Sequence, residues 1–110
     1  MPRGTLIALT KPTSPECEDE YNEWYDQVHL GEVAAVAGVV SAKRYKIAAP
    51  SALNQSADSP FANPYLAVYE LDAPDLESLA REIDASATDG RFQMSDALHP
   101  NPTVVLYEQL

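Results

Sequence analysis

Hydrophobic and polar residues alternate in four short stretches of the chain, and this alternation predicts β-strands. The stretches are residues 5–10, 39–47, 64–71 and 103–107. In the third stretch, Tyr65, Ala67, Tyr69 and Leu71 fall on one face, because successive side chains of a strand point to opposite sides. We expect the first strand to be central in the sheet.

Between the first two strands, apolar residues recur with the period of an amphipathic helix. The helix is predicted to begin near Pro15, either with Ser14 as its cap or with Thr13 and Glu16 as a capping box. It is predicted to close at His29. The apolar stripe that leads to this histidine consists of Cys17, Tyr21, Trp24, Tyr25 and Val28.

A second helix is predicted to start within residues 72–75, because an apolar stripe at helical spacing follows. The stripe consists of Leu76, Leu79, Ala80 and Ile83. Residues 48–63 and 86–101 have no sustained period and are predicted to be loops. Part of the later loop is expected to pack onto the rest of the molecule, because it carries Phe92, Met94 and Leu98.

The order of these elements is β-α-β-β-α-β, which predicts an α+β, ferredoxin-like fold. In that fold two helices cover one face of a four-stranded antiparallel sheet. The chain offers no third helix for the other face. A second copy of the chain is the simplest cover, so we expect a homodimer formed by sheet-to-sheet packing.

The composition of the chain limits the kinds of molecule that it is expected to bind. A length of 110 residues predicts a single domain, residues 1–110, and a net charge of -10 argues against nucleic acid and favours a small neutral or weakly polar ligand. Cys17 is the one cysteine, so neither a disulfide nor a Cys-rich metal site is expected. No signal peptide or membrane span is evident, so we expect a cytoplasmic protein without a membrane partner.

The first helix contains two adjacent aromatic residues followed by a histidine. The motif reads Trp24-Tyr25-Asp26-Gln27-Val28-His29-Leu30-Gly31. Together with the run from Gly38 to Tyr45 and the order of elements along the chain, it resembles the EthD-like domains of the dimeric α/β-barrel superfamily. Gly31 stands where those domains usually have Pro, and Gln27 where an acidic residue is common. The resemblance implies the dimeric fold, but related barrels include monooxygenases, cyclases, isomerases, dehydratases and haem enzymes.

His29 is the main candidate for proton chemistry. With about 100° per residue, Tyr25 and His29 are expected to lie one turn apart along a partly accessible edge of the stripe. A catalytic group at such an edge reaches both ligand and proton source. Alternatively, His29 caps the helix, because an imidazole near a helix C-terminus is favoured by the dipole. The resemblance favours the catalytic interpretation.

Other candidate site residues also have both a functional and a purely structural interpretation. His99 is interpreted either as a lid over the same cavity or as a surface residue. Tyr69 either donates a hydrogen bond to a ligand or packs against a partner subunit, depending on which sheet face is inward. Lys43 and Arg44 lie on opposite faces of their strand, so one of them could bind an anionic or enolate group. We favour the alternative, in which they are part of a ladder of surface charges. The two histidines lack zinc spacing and a haem ligand is a minor alternative, so no metal and no cofactor are predicted.

The leading hypothesis is a small cofactor-independent enzyme that transfers protons on a hydrophobic, aromatic or polyketide-like carbonyl compound, as in cyclase, isomerase, dehydratase or lyase reactions. His29 would act as base or acid, and Tyr25 or Tyr69 would orient the carbonyl oxygen. The predicted substrate-binding residues are Trp24, Tyr21, Tyr65, Phe92, Met94 and His99. A cofactor-free monooxygenase of the same fold and a non-catalytic binding protein for an apolar metabolite are the alternatives.

Overall fold

The computed structural model describes residues 2–48 and 63–110, so the first predicted loop lies almost wholly outside the described residues. The elements follow the predicted order. The strands are β1 (Arg3–Thr10), β2 (Val39–Lys46), β3 (Tyr65–Asp72) and β4 (Thr103–Glu108). The helices are α1 (Glu18–Trp24), α2 (Leu30–Ala34) and α3 (Leu76–Thr88).

The four strands form one antiparallel sheet with the order β2-β3-β1-β4. β1 is central, as expected. It pairs with β3 from Arg3 opposite Asp72 to Thr10 opposite Tyr65, and with β4 on its other side. The predicted α+β, ferredoxin-like fold is confirmed.

The start of the first helical segment, residues 15–34, differs in part from both predicted caps. Ser14 is the N-cap residue and Pro15 takes the first helical position, but the Ser14 side chain makes no capping bond. The Thr13 hydroxyl donates to the Asp96 carbonyl oxygen at 2.7 Å, so the predicted capping box is wrong. A 3-10 turn, Pro15–Cys17, leads into α1.

The middle of this segment is a π-helical turn, Tyr25–His29. There the Leu30 N–H donates to the carbonyl oxygen of Tyr25, five residues earlier, instead of four as in an α-helix. The prediction that His29 closes the helix is wrong, because the chain continues as α2 to Ala34. Glycine at position 31 permits this continuation, since it retains the backbone N–H that proline would lack.

Both helical segments cover the same face of the sheet. The alternating residues of β3 that were predicted to share a face are buried beneath the helices. On α3, Leu76, Leu79 and Ile83 are buried, whereas Ala80 is half-buried. α3 runs to Thr88, so residues 86–88 are helical although a loop was predicted to begin at residue 86. The Ser86 hydroxyl donates a hydrogen bond to the Glu82 carbonyl oxygen, one turn earlier in the helix, at 2.8 Å.

The final connection, residues 89–102, packs against the first helical segment, which confirms that part of it is held down. Phe92 and Ala97 are buried. The indole N–H of Trp24 donates to the Gln93 carbonyl oxygen at 2.7 Å, and the Gln93 N–H donates to the Glu32 carboxylate at 3.0 Å. These bonds fix the connection over the helix-covered side of the sheet.

The opposite face of the sheet is not covered by any described part of the chain, and it carries several apolar side chains beside polar ones such as Glu70 and Lys43. Val105 and Tyr107 there are 37% and 57% exposed. The other apolar residues on this outer face are Ile7, Leu9, Tyr45, Leu66 and Val68. Within the described ranges, no helix is long and apolar enough to cross a membrane.

Two glycines give a matched test of this packing. A methyl group at Gly4 would press on the Tyr107 carbonyl oxygen and the Leu76 side chain, whereas one at Gly31 meets nothing within 4 Å. We expect Gly4→Ala to lower the free energy of unfolding by about 2 kcal/mol or more, because β1 and β4 would have to separate. Gly31→Ala should raise it by about 0.5–1 kcal/mol through helix propensity. Urea denaturation measures both, and a neutral Gly4→Ala would contradict the described approach of β4 and α3.

Candidate functional site

A cavity of about 100 Å³ lies between the helix-covered face of the sheet, the two helical segments and the final connection. The sheet contributes Leu6, Ala8, Thr10, Tyr69 and Val104. The helical segments contribute Tyr25, His29, Val33, Ala80, Ile83, Asp84 and Ala87. The final connection contributes Phe92, Met94, Leu98 and Pro102. The lining is therefore mostly aliphatic and aromatic, as is usual for sites that take small molecules.

The cavity has a buried end and an exposed end. Tyr25, His29 and Tyr69 are 2%, 9% and 2% exposed, and we call these three residues the polar floor. Met94 and Val104 are 38% and 48% exposed and form the mouth with Asp84. The entrance therefore combines two apolar side chains with one carboxylate, and the phenols and the imidazole lie at the buried end.

The π-helical turn explains why His29 is more deeply buried than predicted. In an α-helix, residues five apart lie about 140° apart around the axis, so Trp24 and His29 would diverge. In the wider turn, the indole and imidazole rings stack with centroids 4.8 Å apart. Tyr25 and Phe92 meet the imidazole edge-to-face at 5.0 and 5.7 Å. The expectation of a partly accessible edge position is wrong for both Tyr25 and His29.

The environment of His29 holds its ring neutral. Burial lowers the pKa of the imidazole to about 4, because the charged form loses its hydration when it is buried. Nδ1 is buried and has no hydrogen-bond partner among the described residues, so a proton on it would have no acceptor there. The alternative of a cationic helix cap fails, because the helix continues past His29 and the ring is uncharged at neutral pH.

Tyr25 and Tyr69 supply hydroxyl groups to the polar floor. Their oxygens are 3.2 Å apart and share one hydrogen bond. Burial raises the pKa of Tyr69 to about 12 and also raises the pKa of Tyr25, so both phenols keep their protons at neutral pH. Because the mutual bond uses only one of the two protons, the other is available to a ligand oxygen.

Arg44 lies beside the polar floor, which contradicts the prediction of a surface charge ladder at this position. Its side chain is only 11% exposed, and the guanidinium carbon is 4.4 Å from the centroid of the Tyr25 ring. Its nitrogens contact Asp26 at 2.7 Å and Asn22 at 2.8 Å. The positive charge is thus held next to the tyrosines by two polar partners on the first helical segment.

The remaining predicted site residues divide into two groups. Phe92 and Met94 line the cavity, whereas Trp24 lies behind the imidazole. Tyr21 and Tyr65 lie behind the cavity wall: the Tyr21 hydroxyl bonds to Thr10, and the Tyr65 hydroxyl bonds to Glu18.

His99 lies apart from the polar floor. It lines a separate surface pocket with Lys11 and Glu18, and its Nδ1 accepts a hydrogen bond from the Asn101 N–H at 3.3 Å. The surface interpretation of this histidine fits that position better than the lid interpretation.

Sequence reasoning missed most of the other lining residues, and three of them show what signal was or was not present. Thr10 shares the inward face of β1 with Leu6 and Ala8, so the alternation of that strand contained the signal. Asp84 follows Ala80 by one helical turn, but nothing in the stripe shows that the helix edge borders a cavity. Val104 lies on the inward face of an edge strand, a position that only the sheet order reveals.

In the described ranges, no three His, Cys, Asp or Glu side chains are grouped to hold an ion. The cavity contains one imidazole and, at its mouth, one carboxylate. The arrangement can bind an uncharged oxygen, donate a proton to it from a phenol and accept a proton at a neutral imidazole.

Comparison with known proteins identifies the fold. No family model matches the sequence, and no curated protein matches it. A solved structure from Shewanella loihica, named a putative monooxygenase, is 18% identical, with a TM-score of 0.56 and coverage of 100% of this chain and 97% of that one.

Two further solved structures are similar along almost their whole length. An ethyl tert-butyl ether D (EthD) family protein from Bacillus halodurans is 13% identical, with a TM-score of 0.55 and full coverage of both chains. A dimeric ferredoxin-like protein from Thermobifida fusca is 13% identical, with a TM-score of 0.52 and coverage of 98% of this chain and 92% of that one. The fold expected from the EthD-like resemblance is therefore confirmed.

The lowered pKa of His29 makes stability depend on pH. The unfolded chain gains a proton near pH 6.5 but the folded chain only near pH 4, so folding is opposed progressively as the pH falls between these values. From about pH 7 to about pH 4 we expect His29 to remove about 3 kcal/mol from the free energy of unfolding.

Urea denaturation across this pH range measures the effect as the difference between wild type and His29→Gln, which lacks the titrating group. His99→Gln is the matched control and should retain the wild-type pH dependence. Equal pH dependence of His29→Gln and wild type would show that the imidazole titrates normally in the folded chain.

Proposed function

We propose that this chain is a small enzyme that works without an organic cofactor or metal and moves a proton within a hydrophobic carbonyl compound. The observation that carries the proposal is the polar floor: a neutral imidazole and two protonated phenols line the buried end of one apolar cavity. Acid–base catalysis next to a carbonyl requires a proton acceptor for carbon or oxygen and a donor for the carbonyl oxygen.

In this proposal His29 is the general base. Its Nδ1 is sealed from solvent, which leaves Nε2 as the nitrogen for a ligand. Because a base must have a free lone pair, the ring acts in the tautomer that carries its proton on Nδ1, where this proton has no acceptor among the described residues. A pKa of about 4 makes the free imidazole a weak base. When it takes a proton from the carbon beside the carbonyl, the imidazolium forms next to an enolate oxygen. Their attraction is strong in a site that excludes water, and this offsets the desolvation that lowers the pKa.

The phenols of Tyr25 and Tyr69 bind the carbonyl oxygen and stabilise its developing negative charge. One hydroxyl donates to the other, and the free proton of the pair donates to the ligand. Arg44 supports them electrostatically because its charge lies 4.4 Å from the Tyr25 ring. Returning the proton from His29 to a different carbon gives isomerisation. Passing it to a β-hydroxyl, which then leaves as water, gives dehydration. Attack of the enolate on a second carbonyl within the ligand, whose oxygen then takes the proton, gives cyclisation.

A cofactor-free monooxygenase is the second candidate, and the similar fold of the Shewanella loihica protein favours it. The first step is shared, since an enolate or phenolate formed by His29 is also the species that would react with oxygen. Oxygen uptake in the presence of an enolisable ligand distinguishes the two. A binding protein for an apolar metabolite would use the same cavity without proton transfer.

Proton abstraction can be measured without the natural substrate. We expect wild-type protein in deuterated water to exchange the protons beside the carbonyl of 2-decanone faster than buffer does, as measured by proton NMR. His29→Gln should lower the catalysed rate about 10²–10⁴-fold, because it removes the base but retains a polar side chain. Tyr69→Phe should lower it less, because Tyr25 keeps its own proton.

His99→Gln is the control for this assay and should exchange at the wild-type rate. Binding of the ketone without catalysed exchange, or undiminished exchange by a folded His29→Gln variant, would exclude the acid–base proposal. The first of these outcomes would favour the binding protein.

We further propose that the chain, as one domain of residues 1–110, forms a homodimer through the outer face of its sheet. The apolar side chains there and the name of the Thermobifida fusca structure, a dimeric ferredoxin-like protein, support this. We expect Val105→Glu to convert the dimer to a monomer, because each subunit would bury a carboxylate without a partner of opposite charge.

Met94→Glu is the matched control, since Met94 is 38% and Val105 37% exposed but Met94 lies on the helix side. Light scattering after gel filtration measures the mass. A monomeric wild type, or an unchanged dimer in Val105→Glu, would refute this interface.

A further inference from the structure

The enclosed part of the cavity is small for a hydrophobic substrate. Its volume is about 100 Å³, whereas an engineered apolar cavity that holds benzene measures about 150 Å³. The space above the polar floor therefore accommodates a carbonyl group and a few carbon atoms. A larger ligand has to extend through the mouth.

The mouth continues into a groove between α3 and β4. Leu6, Ala80, Asp84 and Val104 line both the cavity and this groove, so the two are contiguous. Farther along, Leu106 forms the apolar base of the groove. β4 is an edge strand, so Val104 is 48% exposed although its side chain is on the helix-covered face. The groove is on the helix side, so a dimer formed through the outer face would leave it open.

Charges along this path disfavour anions. Asp84 stands where the cavity joins the groove. Arg81, the one cation among the described residues that line the groove, is paired with Glu77 on the next turn of α3. At the buried end, His29 is neutral, and the charge of Arg44 is already paired with Asp26. A buried carboxylate would thus lose its hydration without gaining a free positive partner.

We propose that the site takes an elongated, uncharged molecule, with a carbonyl head on the polar floor and an unbranched apolar tail that leaves through the groove between α3 and β4. Only the identity of the head group, a carbonyl, rests on the proposed function. Val104 and Ala80 set the width available to the tail, and Asp84 selects against a carboxylate. A medium-chain ketone or aldehyde has this chemistry.

The first test is the dependence of affinity on chain length. Titration of methyl ketones from 2-hexanone to 2-dodecanone, followed by the fluorescence of the single tryptophan behind the imidazole, should give about fourfold tighter binding per added methylene. Val104→Phe should abolish the gain for the longer members. Glu82→Phe, on the same helix beside Arg91, is the control and should retain the full series.

The second test concerns charge. Nonanoate has an oxyanion where 2-decanone has the methyl group attached to its carbonyl carbon. The two molecules have the same alkyl tail and differ in little but charge. We expect wild type to bind the ketone at least about tenfold more tightly, since an unpaired buried charge costs more than the 1.4 kcal/mol that this ratio represents. Asp84→Lys should narrow or reverse the preference, and Glu82→Lys should leave it unchanged.

A flat chain-length series in wild type, or equal affinity for nonanoate and 2-decanone, would overturn the proposal even if the variants failed to fold. Affinity and proton exchange are separate measurements. If affinity rises with chain length but no exchange is catalysed, the proposal of an elongated site stands and the proposed enzymatic function is excluded. If exchange is catalysed but affinity does not change with chain length, the enzymatic function stands and the elongated site is excluded.

Discussion

The geometry of the site depends on one turn of backbone, Tyr25–His29, that is wound more widely than the helix on either side. The wider turn brings Trp24 and His29 into a stack and directs Tyr25 and His29 towards the sheet. It also leaves Nδ1 of the imidazole buried without a partner among the described residues, which costs about 1–3 kcal/mol. Such π-helical turns occur frequently at functional sites. A buried, unsatisfied imidazole at the end of a cavity is consistent with that pattern.

The same turn organises the groups around it. Trp24 holds the final connection through Gln93, and that connection carries Phe92 onto the imidazole. On the other side, Arg44 on β2 bridges to the first helical segment and lies against the Tyr25 ring. The polar floor is therefore fixed by contacts from three separate parts of the chain. This arrangement suits the proposed proton transfer, because such a transfer tolerates little misplacement of donor and acceptor.

Much of the fold could be predicted from the sequence, because alternation and helical period are local properties. The sharing of one face by alternate residues of β3 and the central position of β1 are examples, whereas which face of β3 is inward remained open. His29 and Tyr25 could be identified as candidates, but their burial could not, since nothing in the pattern distinguishes a π-helical turn from an α-helical one. The position of Arg44 also depends on tertiary packing, because a strand residue acquires aromatic neighbours only when the helix crosses above it. Asp84 borders the cavity for the same kind of reason.

A crystal structure of the complex with 2-decanone tests the central claim most directly, because it locates both ends of the ligand. We expect the carbonyl oxygen within about 3 Å of the hydroxyl of Tyr25 or Tyr69, the adjacent carbon facing His29, and the tail lying between α3 and Val104. A ketone bound elsewhere, or a cavity filled by side chains with the imidazole turned towards solvent, would contradict the assignment of the polar floor as the reaction site.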